Sequence, residues 1–345
     1  ESPGSTRNWD YRFCWMRDTF YTLTAFNNIG HFEELEKYFN YIVNISVKSK
    51  DRFQPLYSIT GESELIENIL NLEGYLGNKP VRVGNQAYTH IQNDVYGQIL
   101  LALLPLFVDS RFINRERSDS LNLIYDVLKK IDDLMEEPDA GLWEFRTLSQ
   151  FHSYTYLFHW AGAAAARKIG QTFKDDKIYK LADRLMKESS AKIEACYDPN
   201  RKVYTQAIGT PNLDASDLQL IMMNYLDHDS QKTRDHLAAL EKDLKSKEGL
   251  FYRYKHKDDF GSPETTFLIC AFWYVEALTC VGRIDEAIKT FENLLSYSNH
   301  LGLLSEDVDA SNGSMWGNFP QAYSHVGLVN AAYRINKKLD RPNFI

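Results

Sequence analysis

The chain has 345 residues, a formal net charge of -8 and a hydrophobic fraction of 44%. This length allows a large hydrophobic core, and barrels of this size often form one domain. The acidic balance gives no reason to expect binding to nucleic acid or to an anionic membrane. The longest apolar run, residues 99–108, is too short to span a bilayer.

Apolar residues recur at helical spacing through most of the chain, and convincing strand alternation is scarce. The predicted helices cover residues 13–27, 32–49, 91–107, 116–134, 152–168, 175–195, 216–226, 231–244, 264–281, 284–295 and 320–336. Short ribbons are predicted only inside loops, at residues 55–59 and 202–207. Pro320 suits a first helical position, because the N–H that proline lacks would have no partner there.

The predicted connections alternate between short turns and long loops. The long loops cover residues 50–90, 135–151, 196–215, 245–263 and 296–319. Helical hairpins linked in this way are expected of a toroid of inner and outer helices, so we predict an all-α fold, an (α/α)6 barrel, with residues 1–345 as one domain. One outer helix has no counterpart and is expected to be absent from the chain or replaced by loops. Loops beyond about 12–15 residues are usually functional or disordered, and their aromatic content favours function here.

The cysteines and histidines do not have the spacing of a metal site. Cys14, Cys196, Cys270 and Cys280 are scattered without CxxC spacing, which favours buried free thiols over disulfides. The acidic stretch around Asp307 and Asp309 lacks the spacing of an EF-hand loop. We therefore expect neither a metal nor a cofactor.

Three loop segments concentrate the polar and aromatic residues, at 7–18, 141–146 and 305–325. Such loops suit sugars, whose C–H faces stack on rings while their hydroxyls pair with polar groups. Glycoside hydrolysis requires one carboxylic acid and one carboxylate, and an inverting pair lies about 6.5–9.5 Å apart. Glu144, between two aromatic residues, is in a setting that could raise its pKa, whereas Glu306, in a polar acidic loop, is the better candidate for an ionised base.

Structural explanations remain open for each of these residues. A single glutamate in a loop is more often a solvated or capping carboxylate than a catalytic one. Asp18 could interact with a helix dipole and form an ion pair with Arg17, and Trp143 and Trp316 could simply pack at a rim. A purely structural scaffold of helical hairpins is disfavoured by the acidic and aromatic loops.

Several segments resemble motifs of glycoside hydrolase family 15, which contains glucoamylases, glucodextranases and bacterial-type trehalases. These are RNWDYRFCWMRD at 7–18, GLWEFR at 141–146, LGLLSE at 301–306 and GNFPQAYSHVGL at 317–328. PVRVGN at 80–85, DVYG at 94–97 and FLICAFW at 267–273 are similar to further segments of that family. The resemblance spans essentially the whole chain.

The resemblance implies an (α/α)6 barrel and an inverting, exo-acting hydrolase that releases glucose from the non-reducing ends of α-glucosides. Glu144 matches the general acid of the family and Glu306 its general base. The residues that would bind substrate share these motifs or resemble the family nearby: Arg17 and Asp18 on the terminal glucose, Arg253 near that sugar, and Trp15, Trp143, Arg146 and Tyr323 along the pocket.

Specificity and partners follow less directly. Glucoamylase-type activity is the leading expectation, with trehalase or glucodextranase specificity as alternatives. A non-catalytic, sugar-binding regulatory domain is a further alternative, disfavoured by the presence of both glutamates. The expected partners are an α-linked glucose oligosaccharide or disaccharide, and the β-sandwich domain that usually precedes the barrel in bacterial members but is not in this chain. The expected location is the cytoplasm.

Overall fold

The structure, a computed structural model, describes residues 1–48, 52–112 and 120–341. In those ranges it contains eleven α-helices and strands of only two or three residues, and no helix combines the length and apolar character needed to cross a membrane. The chain divides into two compact units. Unit 1 comprises Glu1–Tyr11, Ile66–Asn85 and Cys196–Ile345, and unit 2 comprises Arg12–Leu65 and Gln86–Ala195.

Unit 2 is built from six helices and one short ribbon. The helices are α1 (Met16–Asn28), α2 (Glu33–Lys48), α3 (Asp94–Val108), α4 (Leu121–Leu134), α5 (Ser153–Phe173) and α6 (Asp176–Glu194). Strand β1 (Cys14–Trp15) pairs antiparallel with β2 (Leu56–Tyr57) and leads directly into α1.

Helices α3 and α5 form the close-packed centre of unit 2. A Cβ on Gly162 would lie 2.5 Å from the Cα of Gly97, and a Cβ on Gly97 would lie 1.9 Å from the carbonyl oxygen of Phe158. The two backbones therefore meet where neither helix has a side chain. Helices α3 and α5 are buried on most sides. Their amino-terminal ends therefore form a rigid support for loop 135–152, which connects α4 to α5.

Unit 1 contains the other five helices and three small sheets. The helices are α7 (Gln219–Met222), α8 (Gln231–Leu244), α9 (Leu268–Cys280), α10 (Ile284–Leu295) and α11 (Ala322–Asp340). Strand β3 (Asn68–Leu70) pairs with β4 (Val81–Val83), and β5 (Tyr197–Asp198) pairs with β6 (Val203–Tyr204). A three-stranded sheet has the order β7 (Thr266–Phe267), β8 (Asp307–Val308), β9 (Met315–Trp316).

Helix α9 is the core of unit 1, since every one of its residues is buried. Helix α11 packs closely on it, and a Cβ on Gly327 would lie 2.7 Å from the Cδ1 of Ile269. The start of α9 also fixes the chain before β8, because Leu268 N donates to the carbonyl oxygen of Glu306 at 3.0 Å. A buried helix thus sets the position of Glu306.

The predicted elements agree best with the structure where helices are amphipathic. Helices α8 and α10 begin and end as predicted, whereas residues 216–226 form only a 3-10 turn and the four-residue α7. The prediction that Pro320 opens the last helix is wrong. Gln321 is extended, with φ -98° and ψ 117°, and donates its N–H to Leu304 O at 2.9 Å, so α11 begins at Ala322. The predicted residues 113–119 and 49–51 lie outside the described ranges.

Candidate active site

In unit 2, loop 135–152 is fixed by the buried carboxylate of Asp139. Its Oδ2 accepts hydrogen bonds from Asn93 N and Thr155 Oγ1, both at 2.8 Å, and its Oδ1 accepts from Gly141 N at 3.1 Å. Burial raises the pKa of Asp139 to about 6, although these hydrogen bonds oppose the rise. Asp139 thereby ties the turn that contains Glu144 to the start of α3 and to the first turn of α5.

Glu144 lies at a left-handed backbone position, with φ 63°. This conformation is uncommon for a residue other than glycine. It belongs to a tight turn in which Glu144 N donates to Gly141 O and Phe145 N donates to Ala140 O, both at 3.1 Å. The turn directs a partly exposed carboxylate, with 19% of its side-chain surface accessible, toward the residues of β1 and α1.

Trp15 and Arg17 hold the carboxylate of Glu144. The indole Nε1 of Trp15 donates to Glu144 Oε1 at 2.6 Å, and Arg17 Nη1 lies 3.8 Å from the same oxygen. Arg17 Nη1 also donates to Leu142 O at 2.7 Å. Trp15 is only 3% exposed, so the structure places it as a hydrogen-bond donor to Glu144 behind the carboxylate.

Asp18 completes this cluster. Arg17 Nε donates to Asp18 Oδ1 at 3.0 Å. Burial raises the pKa of Asp18, with Arg17 opposing the rise and the charge of Glu144 adding to it. The cluster of Trp15, Arg17, Asp18 and Glu144 therefore combines two carboxyl groups with one guanidinium, a set that can exchange a proton and bind hydroxyl groups.

Trp143 and Arg146 lie in the same loop as Glu144. Trp143 is half-buried, directly before Glu144 in the same turn. Arg146 Nη1 donates to Gln86 Oε1 at 3.0 Å. Both residues lie in the loop between α4 and α5, and their contact with a sugar stays a prediction.

In unit 1, Glu306 is held by the chain that returns after β9. Glu306 N donates to Asn318 O at 3.0 Å, and Glu306 Oε2 accepts from Asn318 N at 2.9 Å and from Asn318 Nδ2 at 3.0 Å. Gly317 has φ 74°, and a Cβ there would lie 2.6 Å from Glu306 Oε2. Only glycine allows both the turn and this close approach to the carboxylate.

The pKa of Glu306 is raised, first by burial and then by the negative charge of Glu1, while the hydrogen bonds from Asn318 oppose the rise. The surrounding loop is polar in sequence, yet Glu306 is only 2% exposed. A carboxylate whose pKa is raised toward neutrality is a stronger base than an ordinary surface glutamate.

The neighbouring aspartates have different surroundings. Asp307 is buried, accepts from Thr265 Oγ1 at 3.2 Å, and has a pKa raised well above its usual range by burial and by the charges of Glu1 and Glu306. Asp309 instead caps an exposed turn through Ser311 and Asn312, and those hydrogen bonds lower its pKa. Asp309 thus shapes the loop.

Glu306 lines a pocket of about 450 Å³, a volume that includes space open to solvent. Rings and amides dominate the walls, namely Asn8, Trp9, Tyr11, Tyr75, Asn78, Trp316 and Asn318. Because rings can stack on C–H faces while amides bind hydroxyls, the pocket has the chemistry of a sugar site.

Arg253 and Tyr323, both predicted to bind substrate, are buried in unit 1. Arg253 Nη2 donates to Glu1 Oε2, and Trp9 Nε1 donates to Glu1 Oε1 at 3.0 Å. The ring of Tyr323 packs edge-on against that of Trp273, with centroids 6.1 Å apart. The structure therefore gives each of them a protein neighbour, and contact with a sugar remains a prediction for both.

Sequence reasoning missed several residues of the pocket. Gly317 and Asn318 belong to a recognised motif, and the approach of that glycine to an acidic residue could have been expected from the motif. Tyr75 and Asn78 lie in the predicted loop 50–90, where no motif marks them. Their place in the pocket depends on the pairing of β3 with β4, and the local sequence contains no pattern that predicts this pairing.

The sequence profile of Glycosyl hydrolases family 15 matches residues 2–333. A trehalase of Thermoplasma volcanium is 34% identical over 343 residues, which cover 98% of this chain and 54% of that protein. A trehalase of Mycobacterium tuberculosis is 33% identical over 351 residues, covering 97% of this chain and 50% of that protein. The chain thus spans about half the length of the curated relatives it matches.

The crystal structure of a bacterial glucoamylase complexed with acarbose has a TM-score of 0.70 at 16% identity, covering 94% of this chain and 49% of that one. At this identity the likeness shows the fold alone. Glucoamylases have an (α/α)6 barrel, so the predicted all-α fold class is confirmed. The profile match and the trehalase identities together establish that the chain belongs to Glycosyl hydrolases family 15.

Proposed function

We propose that this chain contains the catalytic residues of an inverting hydrolase of α-glucosides, with Glu144 as general acid and Glu306 as general base. The observation on which the proposal depends most is the surroundings of Glu306. This buried carboxylate lines a pocket of rings and amides in a chain of a glycosyl hydrolase family.

The role of base suits the surroundings of Glu306. In the reaction, Glu306 takes a proton from the water that attacks the anomeric carbon. Its raised pKa makes proton transfer more favourable, because a base is most effective when its pKa is near the working pH. The two hydrogen bonds from Asn318 stabilise the carboxylate and fix the oxygen Oε2, so the other oxygen is the one we assign to the water.

The role of acid is assigned to Glu144. It donates a proton to the glycosidic oxygen as the bond to the anomeric carbon breaks, and the leaving sugar departs neutral. Water adds from the opposite face, so the configuration inverts, and the two carboxyl groups are expected about 6.5–9.5 Å apart in the substrate complex. The hydrogen bond from Trp15 stabilises the carboxylate that remains.

Substrate binding is proposed for the charged and aromatic residues near these two glutamates. Arg17 and Asp18 offer a guanidinium and a carboxylate for the hydroxyls of the terminal glucose. Trp143 and Arg146, in the same loop as Glu144, are proposed to contact the sugar. Arg253 and Tyr323, each already in contact with a protein group, are proposed to shape the pocket wall.

The substrate we propose is an α-linked glucose oligosaccharide or disaccharide. Glucoamylase-type release of glucose from chain ends is the leading expectation from the sequence. Both relatives described above, each more than 30% identical, are named trehalase. Their names favour trehalose as the substrate at least as well as a maltooligosaccharide. Trehalose is therefore the first substrate to test.

The direct experiment compares glucose release from trehalose, maltose, isomaltose and longer maltooligosaccharides at equal enzyme concentration. We expect hydrolysis of at least one of them, with trehalose fastest, and loss of that activity in Glu306→Gln. Binding of these sugars by calorimetry without hydrolysis of any would contradict the proposal and favour a sugar-binding regulatory domain.

A further inference from the structure

One wall of the Glu306 pocket comes from a segment that no family motif covers. This segment, residues 71–79, lies between β3 and β4 in unit 1, and two of its residues, Tyr75 and Asn78, line the pocket. Asn78 is fixed on both sides of its amide. Its Oδ1 accepts from Gly4 N at 2.6 Å, and its Nδ2 donates to Tyr75 O at 2.8 Å.

The segment is anchored to the other pocket-lining residues through Arg82 of β4. Arg82 Nη1 donates to the carbonyl oxygens of Thr6 and Asn8, at 2.9 and 2.8 Å. Its guanidinium stacks over the ring of Trp9 at 4.3 Å from the centroid and pairs with Glu67 Oε1 at 3.0 Å. The wall that contains Tyr75 is therefore a fixed part of the pocket.

Tyr75 lies at the open end of this pocket. Tyr75 is 70% exposed, whereas Glu306 is 2% exposed, so the pocket runs from Tyr75 inward to Glu306. The ring of Tyr75 meets that of Trp316 edge-on, with centroids 6.0 Å apart. The two rings, with an interplanar angle of 72°, offer two apolar surfaces at the mouth.

The geometry points to Tyr75, together with Trp316, as the binding surface for the second sugar residue of the substrate. This inference rests on the proposed function. If Glu306 activates the water at the anomeric carbon, the first glucose must occupy the inner part of the pocket. The sugar linked to it then extends to the mouth, where its C–H face stacks on these rings. Tyr75 thus acts on specificity for the leaving sugar.

The test uses two substrates that share the first glucose. One is the disaccharide that the wild-type protein hydrolyses best, and the other is α-D-glucosyl fluoride, which has no second sugar. We expect Tyr75→Ala to lower kcat/KM for the disaccharide about tenfold, mainly through KM, because binding of the leaving sugar is lost. For the fluoride the change should stay within about twofold.

Two control variants separate stacking from other effects. Leu72→Ala removes a 56% exposed side chain of the same segment that does not line the pocket, and it should leave both substrates unaffected. Tyr75→Phe keeps the ring and should keep most of the disaccharide activity. Melting temperatures of all three variants should equal that of the wild type, because each altered side chain is solvent-exposed.

Three results would overturn the inference. Equal loss on both substrates would place Tyr75 at the first glucose, no loss on either would remove it from the site, and loss in Tyr75→Phe equal to that in Tyr75→Ala would rule out stacking. If the wild type hydrolyses neither substrate, the proposed function fails. Calorimetry with trehalose then still decides the inference: Tyr75→Ala must weaken binding about tenfold and Leu72→Ala must not.

Discussion

Glu144 and Glu306 are residues of the same type in contrasting surroundings. Glu144 has 19% of its side chain accessible, accepts a hydrogen bond from an indole and lies 3.8 Å from a guanidinium. Glu306 is 2% exposed, accepts from the two N–H groups of one asparagine, and is raised in pKa by burial and a neighbouring carboxylate. The two glutamates thus differ in solvent access and in the groups that contact them, and the environment of a carboxyl group influences its chemical role.

The two loops also differ in which residue adopts the left-handed backbone conformation. In loop 135–152 the glutamate itself occupies the left-handed position, with φ 63°, which costs of order 1–3 kcal/mol at a non-glycine residue. In the loop after β9 the left-handed position belongs to Gly317, whose missing Cβ makes room for Glu306. The first loop positions its carboxylate through a strained backbone conformation of the glutamate itself. The second positions its carboxylate through close packing of a glycine against the glutamate side chain.

The largest expected effect comes from removing either proton-transfer group. Glu144→Gln and Glu306→Gln should each lower kcat by about 10³-fold, because general acid–base catalysis contributes roughly 10²–10⁴-fold. Each change is nearly isosteric, so far-UV circular dichroism and melting temperature should match the wild type. Wild-type turnover in one variant would show that its residue is not a proton-transfer group, and the proposed contrast between the two glutamates would fail.

Next in size is the effect of a methyl group beside Glu306. Gly317→Ala places a Cβ 2.6 Å from Glu306 Oε2 and 2.7 Å from its Cβ, so the carboxylate must move, and kcat should fall about 100-fold. Gly313→Ala is the matched control, with the same φ of 74° but its nearest contact at 3.6 Å, on Tyr297. It should lose about 1 kcal/mol of stability from backbone strain and keep its kcat. Similar kcat losses in both variants would mean that strain, rather than contact with Glu306, matters.

A smaller effect is expected from the donor that holds Glu144. Trp15→Phe removes the N–H that donates to Glu144 Oε1 at 2.6 Å, and kcat should fall about tenfold, in line with the loss of a hydrogen bond to a charged group. KM should change little, because Trp15 is 3% exposed and acts through Glu144. A rise in KM with unchanged kcat would instead assign Trp15 to sugar binding. Trp160→Phe in α5 serves as the control for an aromatic replacement in unit 2.

The smallest expected effect is a shift in pH dependence. The side-chain amide of Asn318 stabilises the carboxylate form of Glu306 and so lowers a pKa that burial has raised. Asn318→Ala should raise that pKa, and the acidic limb of kcat/KM should move to higher pH by roughly half a unit to one unit. Asn312→Ala, which removes an exposed amide bound to Asp309, should leave the limb unchanged. A shift toward lower pH in Asn318→Ala would contradict the role of base for Glu306.

The sequence predicts helices well where an apolar stripe ends at a polar cap. Helix α8 begins after Ser230, whose Oγ accepts from Thr233 N at 3.1 Å, and its bounds were predicted correctly. Residues 216–226 have a similar apolar pattern, but Met223 ends the short α7 and Asn224 adopts φ 58°. Helix α7 packs against α9, and the periodicity within the segment contains no information about that contact.

The same limit applies to the candidate site. Glu144 and Glu306 stand in motifs that short stretches of sequence define, so the sequence could single them out. Glu1 binds Arg253, and Tyr75 lines the pocket of Glu306, although each is far from that residue in the sequence. Contacts between residues so far apart produce no recognisable local pattern in the sequence.

The most direct test of the central claim is the anomeric form of the glucose released in the first minutes of reaction, followed by ¹H NMR before mutarotation. An inverting pair predicts that the glucose whose bond to the glycosidic oxygen breaks appears as the β-anomer. With trehalose, β- and α-glucose should therefore appear in equal initial amounts. Release of α-glucose alone would mean retention of configuration and would contradict the assignment of Glu306 as the base that activates water.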